Sequence, residues 1–170
     1  MRSRMILTLA VMIVTASAGC RDQVPADWQR APTVQGFTLY VPPDFQRDYE
    51  AGQGIDSEAG TLVAPGIKLS YECGWYCWCS PDTVTHYAFK GAQVRRVSVK
   101  GASKALLGLD APGSWLSSPS AADSLFPYAV LLCAEKRNGR GPQTRLALLA
   151  RCSTPEKREL AIRILRTASF

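Results

Sequence analysis

Two strongly apolar segments in the C-terminal half constrain the fold of this 170-residue chain more than any other feature. They span residues 128–135 and 146–152, and the polar stretch KRNGRGPQT follows the first of them. Short continuous apolar runs bounded by turn residues are typical of strands that are buried on both faces. The pattern predicts two central strands joined by a polar hairpin loop.

Shorter strands are predicted around this pair. Residues 66–73 place Ile67, Leu69, Tyr71 and Cys73 on one face of a strand, because alternate side chains of a strand point the same way. The same patterning predicts further strands at residues 34–41, 61–64, 84–90, 93–99 and 104–110. Residues 47–59, which are rich in Gly, Asp and Glu, are predicted to form a loop. Residues 111–122, which are rich in Pro, Ser and Gly, are predicted to form a loop or a short helical turn.

The C-terminus has the pattern of an amphipathic helix. Ser153 and Thr154 offer capping hydroxyls, Pro155 suits the first helical position, and Glu156 supplies an acidic first turn. An apolar stripe at helical spacing follows, made of Leu160, Ala161, Ile164, Leu165 and Ala168. We therefore predict an α+β fold, in which an antiparallel sheet of about five to seven strands carries this helix packed on it.

The first twenty residues, MRSRMILTLAVMIVTASAGC, have the layout of a secretory signal peptide. Ser17-Ala18-Gly19-Cys20 resembles the lipobox of bacterial lipoproteins, although Ser17 stands where that motif has an aliphatic residue. The resemblance implies cleavage after residue 19 and lipidation of Cys20. The predicted organisation is a signal peptide (1–19), a lipid-anchored tether (20–33) and a single α+β domain (34–170).

This layout sets the expected location and partners. The resemblance implies a cell-envelope lipoprotein on the periplasmic face of the outer membrane, because Arg21 replaces the aspartate associated with inner-membrane retention. Cleavage after Ala18 would instead secrete the chain to the periplasm. Loss of Arg2 and Arg4 with the leader leaves 18 basic and 14 acidic residues, a net charge of +4. That excess does not indicate a nucleic-acid partner. The expected partners are the membrane, which the chain contacts through its lipid anchor, and another envelope protein.

The order of the predicted elements resembles that of the PsbP-like α/β/α sandwich proteins. The resemblance rests on an early strand ended by Pro42-Pro43, a strand hairpin, two late strands and a final helix ending ILRTASF. It spans residues 36–170. It implies a non-enzymatic binding or assembly role and transfers no catalytic residue.

Disulfides are the default interpretation of the cysteines, because export places them in an oxidising compartment. If Cys20 is lipidated, the remaining five allow two bridges and leave one over, and the connectivity stays open. A Cys133–Cys152 bridge would require a hairpin turn centred near Pro142, and either residue may instead pair with the segment that ends at Cys79. The candidates are Cys73, Cys77, Cys79, Cys133 and Cys152.

A metal site is the alternative use of the same segment. Cys73, Cys77, Cys79 and the single histidine, His86, offer three thiolates and an imidazole, a ligand set that suits zinc or copper(I). A third hypothesis is a nucleophilic thiol activated by His86.

No nucleophile elbow or phosphate loop accompanies these residues, so we expect a non-enzymatic protein without a cofactor. The predicted interaction surface is an exposed strand edge or the basic loop between the late strands. The basic residues of that loop are Lys136, Arg137, Arg140 and Arg145.

Overall fold

The structure is a computed structural model, and it describes residues 24–31, 36–51, 56–82, 93–109, 125–141 and 143–170. The leader with Cys20, the predicted strand at residues 84–90 with His86, and the predicted loop at residues 111–122 lie outside the described residues. Within the described ranges, no helix is both long and apolar enough to cross a bilayer.

A seven-stranded antiparallel sheet dominates the part of the chain that the structure describes. The strands are β1 (Gln29–Arg30), β2 (Tyr40–Val41), β3 (Gln46–Ala51), β4 (Ser57–Ala64), β5 (Ile67–Gly74), β6 (Gln93–Arg96), β7 (Lys104–Leu109), β8 (Tyr128–Lys136) and β9 (Thr144–Cys152). The main sheet has the order β3-β4-β5-β9-β8-β7-β6, and β1 pairs separately with β2. Helix α1 (Pro155–Arg166) follows β9. The predicted antiparallel sheet with a C-terminal helix is confirmed.

The two late strands, β8 and β9, lie at the centre as predicted. Each contains five consecutive buried residues, because one face of the sheet is covered by α1 and the other by a second apolar cluster. Cys133 pairs with Ala147 and Lys136 with Thr144, which centres the hairpin turn on Arg140.

The helix-side face forms the main core. Ile164 and Leu165 of α1 are fully buried in the same cluster as Leu69, Leu132 and Leu148 of the sheet. Burying one such side chain contributes about 1.5–3 kcal/mol, so this contact fixes the helix on the sheet. The opposite face carries a smaller buried cluster around Leu131, Cys133 and Leu149.

The predicted loop at residues 47–59 is wrong. Its first part belongs to β3 and its last part to β4, which pair with each other at one edge of the sheet. Strand β4 lacks a clear alternation of apolar and polar residues, because only two of its positions, Gly60 and Leu62, are buried. Pairing with β5 along the whole length of β4 outweighs the low strand propensity of Gly, Asp and Glu.

The N-terminal boundary also differs from the prediction. Residues 24–31 lie in the predicted tether, yet Gln29–Arg30 forms β1, and Ala31 is buried. Trp28 packs against the main core with the Arg163 guanidinium 5.5 Å from its ring centre. In the described part of the predicted strand at 34–41, residues 36–41, only Tyr40–Val41 belongs to a strand, because Thr38 pairs with Ser169 after the helix and not with the main sheet.

Candidate functional site

One disulfide joins the cysteine-rich segment to the centre of the sheet. Cys79 is bonded to Cys133 of β8, and their Cα atoms are 5.9 Å apart. Cys73, Cys77 and Cys152 are free and buried. The five described cysteines thus form one bridge, not the two that were expected from their number.

The register of the strands explains which pairs do not form. Cys152 lies opposite Tyr128, so a Cys133–Cys152 bridge is incompatible with the hairpin. Cys73 and Cys152 occupy opposite ends of the helix-side face, since Cys73 pairs with Leu146 and Cys152 with Ile67. These positions are six residue steps apart along β9, which is about 20 Å along a strand.

The bridge holds a segment that runs across the end of the sheet, which we name the crossing segment (residues 74–82). The segment leaves β5 at Gly74, where an added Cβ would meet Asp56 and Ser57, and the Trp75 N–H donates to the Asp56 carbonyl at 2.9 Å. It reaches β8 at the disulfide and β7 at Asp82, whose carboxylate accepts from Lys104 Nζ at 2.8 Å. The segment therefore spans from β5 to β7 over β9 and β8.

Buried sulfur atoms form the inner side of the crossing segment. Cys77 and Cys79 are 3% and 0% exposed and belong to the cluster with Leu131 and Leu149. The Cys77 thiol lies 3.6 Å from the main-chain carbonyl oxygens of Glu72 and Cys79. Both oxygens can accept a hydrogen bond from it. The inner side of the segment thus packs into the apolar cluster on the sheet face opposite the helix.

Aromatic side chains form the outer side. Trp75, Tyr76 and Trp78 are 48%, 76% and 46% exposed, although tryptophan and tyrosine are usually largely buried in folded domains. The remaining large exposed apolar residues of the described ranges, Val24 and Leu125, lie elsewhere in the chain. A rigid segment therefore presents three large rings to solvent.

Glu72 fixes the base of this segment. Its carboxylate accepts from the Trp78 N–H at 3.5 Å, and its carbonyl faces the Cys77 thiol. Burial raises the pKa of Glu72, while the bond from Trp78 acts in the opposite direction. The residue links β5 to both the buried and the exposed side of the crossing segment.

The predicted basic surface lies at the same end of the sheet. Arg145 pairs with Gly74 in the β5–β9 register, so the basic hairpin begins beside the crossing segment. Arg137 and Arg140 are exposed, and Lys136 is half-buried. Arg145 is partly withdrawn from this surface because its Nε lies 4.0 Å from the Glu135 carboxylate.

The proposed ligands of the alternative metal site are not assembled in the described residues. No group of three or more His, Cys, Asp or Glu residues is arranged there to hold a metal ion, and Cys79 is engaged in the disulfide. Burial raises the pKa of Cys73 to about 11 and that of Cys77 to about 12. Burial therefore favours the protonated form of both thiols at neutral pH, whereas a cysteine nucleophile must be a thiolate.

A cleft beside the crossing segment was missed by the sequence analysis. It has a volume of about 690 Å³, and the connection between β6 and β7 lines it together with Arg96, Lys104, Glu135 and Arg137. Its charged residues come from three strands and a loop that are far apart in sequence, so no local motif marks it. The one sequence feature that could have pointed to this cleft is the basic pair Arg95-Arg96, since Arg96 lines it.

Comparison with known proteins adds no assignment to this site. No protein-family model, no curated protein and no solved structure matches the chain.

Proposed function

We propose that the chain is a cell-envelope lipoprotein whose domain is a non-enzymatic binding module, and that its binding surface is the crossing segment. The observation that carries the proposal is the exposure of Trp75, Tyr76 and Trp78 on a segment fixed by the Cys79–Cys133 disulfide. Tryptophan, tyrosine and arginine are the residues most enriched among those that dominate protein–protein binding energy. The proposed partner is another envelope protein.

Fixation of the segment supports this use. An exposed aromatic ring binds more strongly when the backbone that carries it is ordered before binding, because less conformational entropy is lost. Glu72, the disulfide and the Asp82–Lys104 ion pair hold the segment at three strands of the sheet, β5, β8 and β7. The neighbouring Arg137 and Arg140 add a charged rim that favours a partner with an acidic patch.

The signal-peptide pattern and the disulfide support the envelope location together. Disulfides persist in the periplasm and at cell surfaces and are rare in the cytosol. Lipidation of Cys20 is tested by intact mass of the protein from the membrane fraction. A chain that begins at Cys20 and carries acyl mass is expected, and an unlipidated chain that begins at Gly19 would overturn the anchor.

Site-specific photo-crosslinking in the source bacterium tests the binding surface. A photoreactive residue at Tyr76 is expected to form a defined adduct with one envelope protein. The matched control is Lys68, which is exposed like Tyr76. It lies on β5, at the end of the strand that is far from the crossing segment. The adduct at Tyr76 should be lost in Trp75→Ala and Trp78→Ala variants whose thermal unfolding is unchanged. An adduct of equal yield at Lys68, or one that both alanine variants leave intact, would refute the proposed surface.

A further inference from the structure

The cleft between the β6–β7 connection and the end of β8 has the size of a small-molecule site. Its volume of about 690 Å³ lies within the range of about 300–1,000 Å³ that is typical of ligand pockets. The connection between β6 and β7 (residues 97–103) forms one wall, and Arg96, Lys104, Glu135 and Arg137 contribute charged groups. Trp75, Tyr76 and Trp78 do not line it, so it is distinct from the aromatic surface.

The walls of the cleft are held in place by main-chain hydrogen bonds. The N–H and the hydroxyl of Ser103 both donate to the Glu135 carbonyl at 2.8 Å, which ties the connection to β8. The Ala102 N–H donates to Val99 at 3.0 Å, and the Phe170 N–H donates to Lys100 at 2.9 Å. The cleft therefore exists without a ligand, which lowers the cost of filling it.

Two of the four charged residues that line the cleft already have partners. Lys104 Nζ lies 2.8 Å from the carboxylate of Asp82, which is outside the cleft, and the Glu135 carboxylate lies 4.0 Å from Arg145 Nε. The Glu135 carboxylate is also within reach of the Gln143 side-chain amide at 3.0 Å. The guanidinium groups of Arg96 and Arg137 take no part in these contacts.

Arg96 and Arg137 are exposed and make no ion pair or side-chain hydrogen bond with another described residue. Guanidinium groups bind phosphate with paired, parallel hydrogen bonds. Two of them match the charge of about −1.5 to −2 that a phosphate monoester carries at pH 7 better than the single charge of a carboxylate or a sulfate ester. The exposed Ser98 offers a further hydroxyl donor in the same cleft.

The remaining lining is apolar. Val97, Val99, Ala102 and Ala105 contribute aliphatic surface next to the charged groups. A pocket with this division holds a charged group at one side and an organic body at the other. We propose that the cleft binds a small organic phosphate monoester, with Arg96 and Arg137 on the phosphate and the aliphatic wall against the organic group. This proposal does not depend on the partner protein of the crossing segment.

Calorimetric titration of the full domain with phenyl phosphate tests the site. Saturable binding is expected, and Arg96→Gln and Arg137→Gln should each weaken it about 5-fold or more. The matched control is Arg140→Gln, which removes an exposed charge of the same hairpin outside the cleft and should change the affinity less than about 2-fold. Equal losses in all three variants would indicate general charge attraction and overturn the site.

Three further titrants define the ligand class. Phenyl sulfate, which has one charge, and inorganic phosphate, which lacks the organic body, should both bind more weakly than phenyl phosphate. Vesicles that contain phosphatidic acid, whose headgroup is also a phosphate monoester, distinguish a free monoester from a lipid headgroup. Phenyl phosphate binding without vesicle retention supports the proposal, whereas retention on vesicles that does not need Arg96 and Arg137, without phenyl phosphate binding, refutes it.

Discussion

Cys79 is bonded to Cys133 across 54 residues of sequence, and this bond joins the crossing segment to the strand next to the centre of the sheet. Both sulfur atoms are fully buried against Leu131 and Leu149. The bond therefore has two effects on stability. It restricts the unfolded chain, and in the folded chain it completes the apolar cluster on the sheet face opposite the helix. The exposed rings of the segment depend on the second effect for their position, because the bond holds the segment on the sheet.

Replacing both bonded cysteines by alanine should lower the free energy of unfolding by about 4 kcal/mol, the loss expected for a loop of this length. Urea unfolding measures it, and proteolysis within residues 74–82 should become faster. Cys152→Ala is the control, since it removes a buried thiol that forms no bridge. A double variant that unfolds at the same urea concentration as Cys152→Ala would contradict the assigned role of the bond.

Cys152 should make the protein sensitive to alkaline pH. Burial raises the pKa of this thiol to about 12 from an ordinary value near 9.0, while Arg158 and Lys157 act in the opposite direction. Between these two values the unfolded chain has released a proton that the folded chain still holds, so stability falls as pH rises through this window. The urea midpoint should fall less steeply from pH 9 to pH 11 in Cys152→Ala than in the wild type. Parallel curves would contradict the shift.

The central strands and the helix could be predicted because their information is local. Strands β8 and β9 are continuous apolar runs, and α1 begins with a capping threonine followed by Pro155. Strand β3 and the first half of β4 could not be predicted in this way, although residues 61–64 of β4 were. Their residues become strands because β5 offers eight pairing positions to β4, and no single-sequence pattern records which segment accepts that pairing.

The site was predictable only in part. The five cysteines and the basic hairpin were identified from sequence, but the choice of Cys79 over Cys77 depends on the path by which the segment leaves Gly74. The cleft joins Arg96 to Arg137, which are far apart in sequence, through the order β6-β7-β8 in the sheet. Such a site follows from strand order, which the sequence patterns leave open.

Gly60 and Tyr71 form a cross-strand pair in which the ring occupies the space above the glycine. They lie directly opposite each other on β4 and β5, and a Cβ at Gly60 would collide with the tyrosine ring. The ring also packs edge-on against Phe37, with 5.6 Å between the ring centres, so it has little room to move. Gly60→Ala should therefore lower the free energy of unfolding by about 1–3 kcal/mol, the usual range for overpacking.

A double-mutant cycle isolates this contact. In a Tyr71→Val background the ring is absent, so Gly60→Ala should cost less there than in the wild type. Urea unfolding of the four proteins gives the coupling energy. If the substitution costs the same in both backgrounds, the collision with the ring is not the cause of the loss.

Thr154 should control the start of the helix that covers the main core. Its hydroxyl oxygen accepts from the Lys157 N–H at 3.3 Å, which satisfies a donor at the first turn of α1. Thr154→Ala should lower the free energy of unfolding by about 1 kcal/mol, while Thr154→Ser keeps the acceptor and should remain close to the wild type.

The Thr154 hydroxyl also makes the stability that this cap contributes depend on pH. A hydrogen bond with the Thr154 side chain lowers the pKa of Glu156, with help from the Glu156 backbone N–H. A lowered pKa contributes stability above the ordinary value of 4.5 that is lost as the carboxylate is protonated. The difference in urea midpoint between the wild type and Thr154→Ala should therefore shrink as pH falls from 7 toward 3. NMR titration should find the Glu156 pKa higher in the alanine variant. An unchanged Glu156 pKa would show that the capping hydroxyl does not act on this carboxylate.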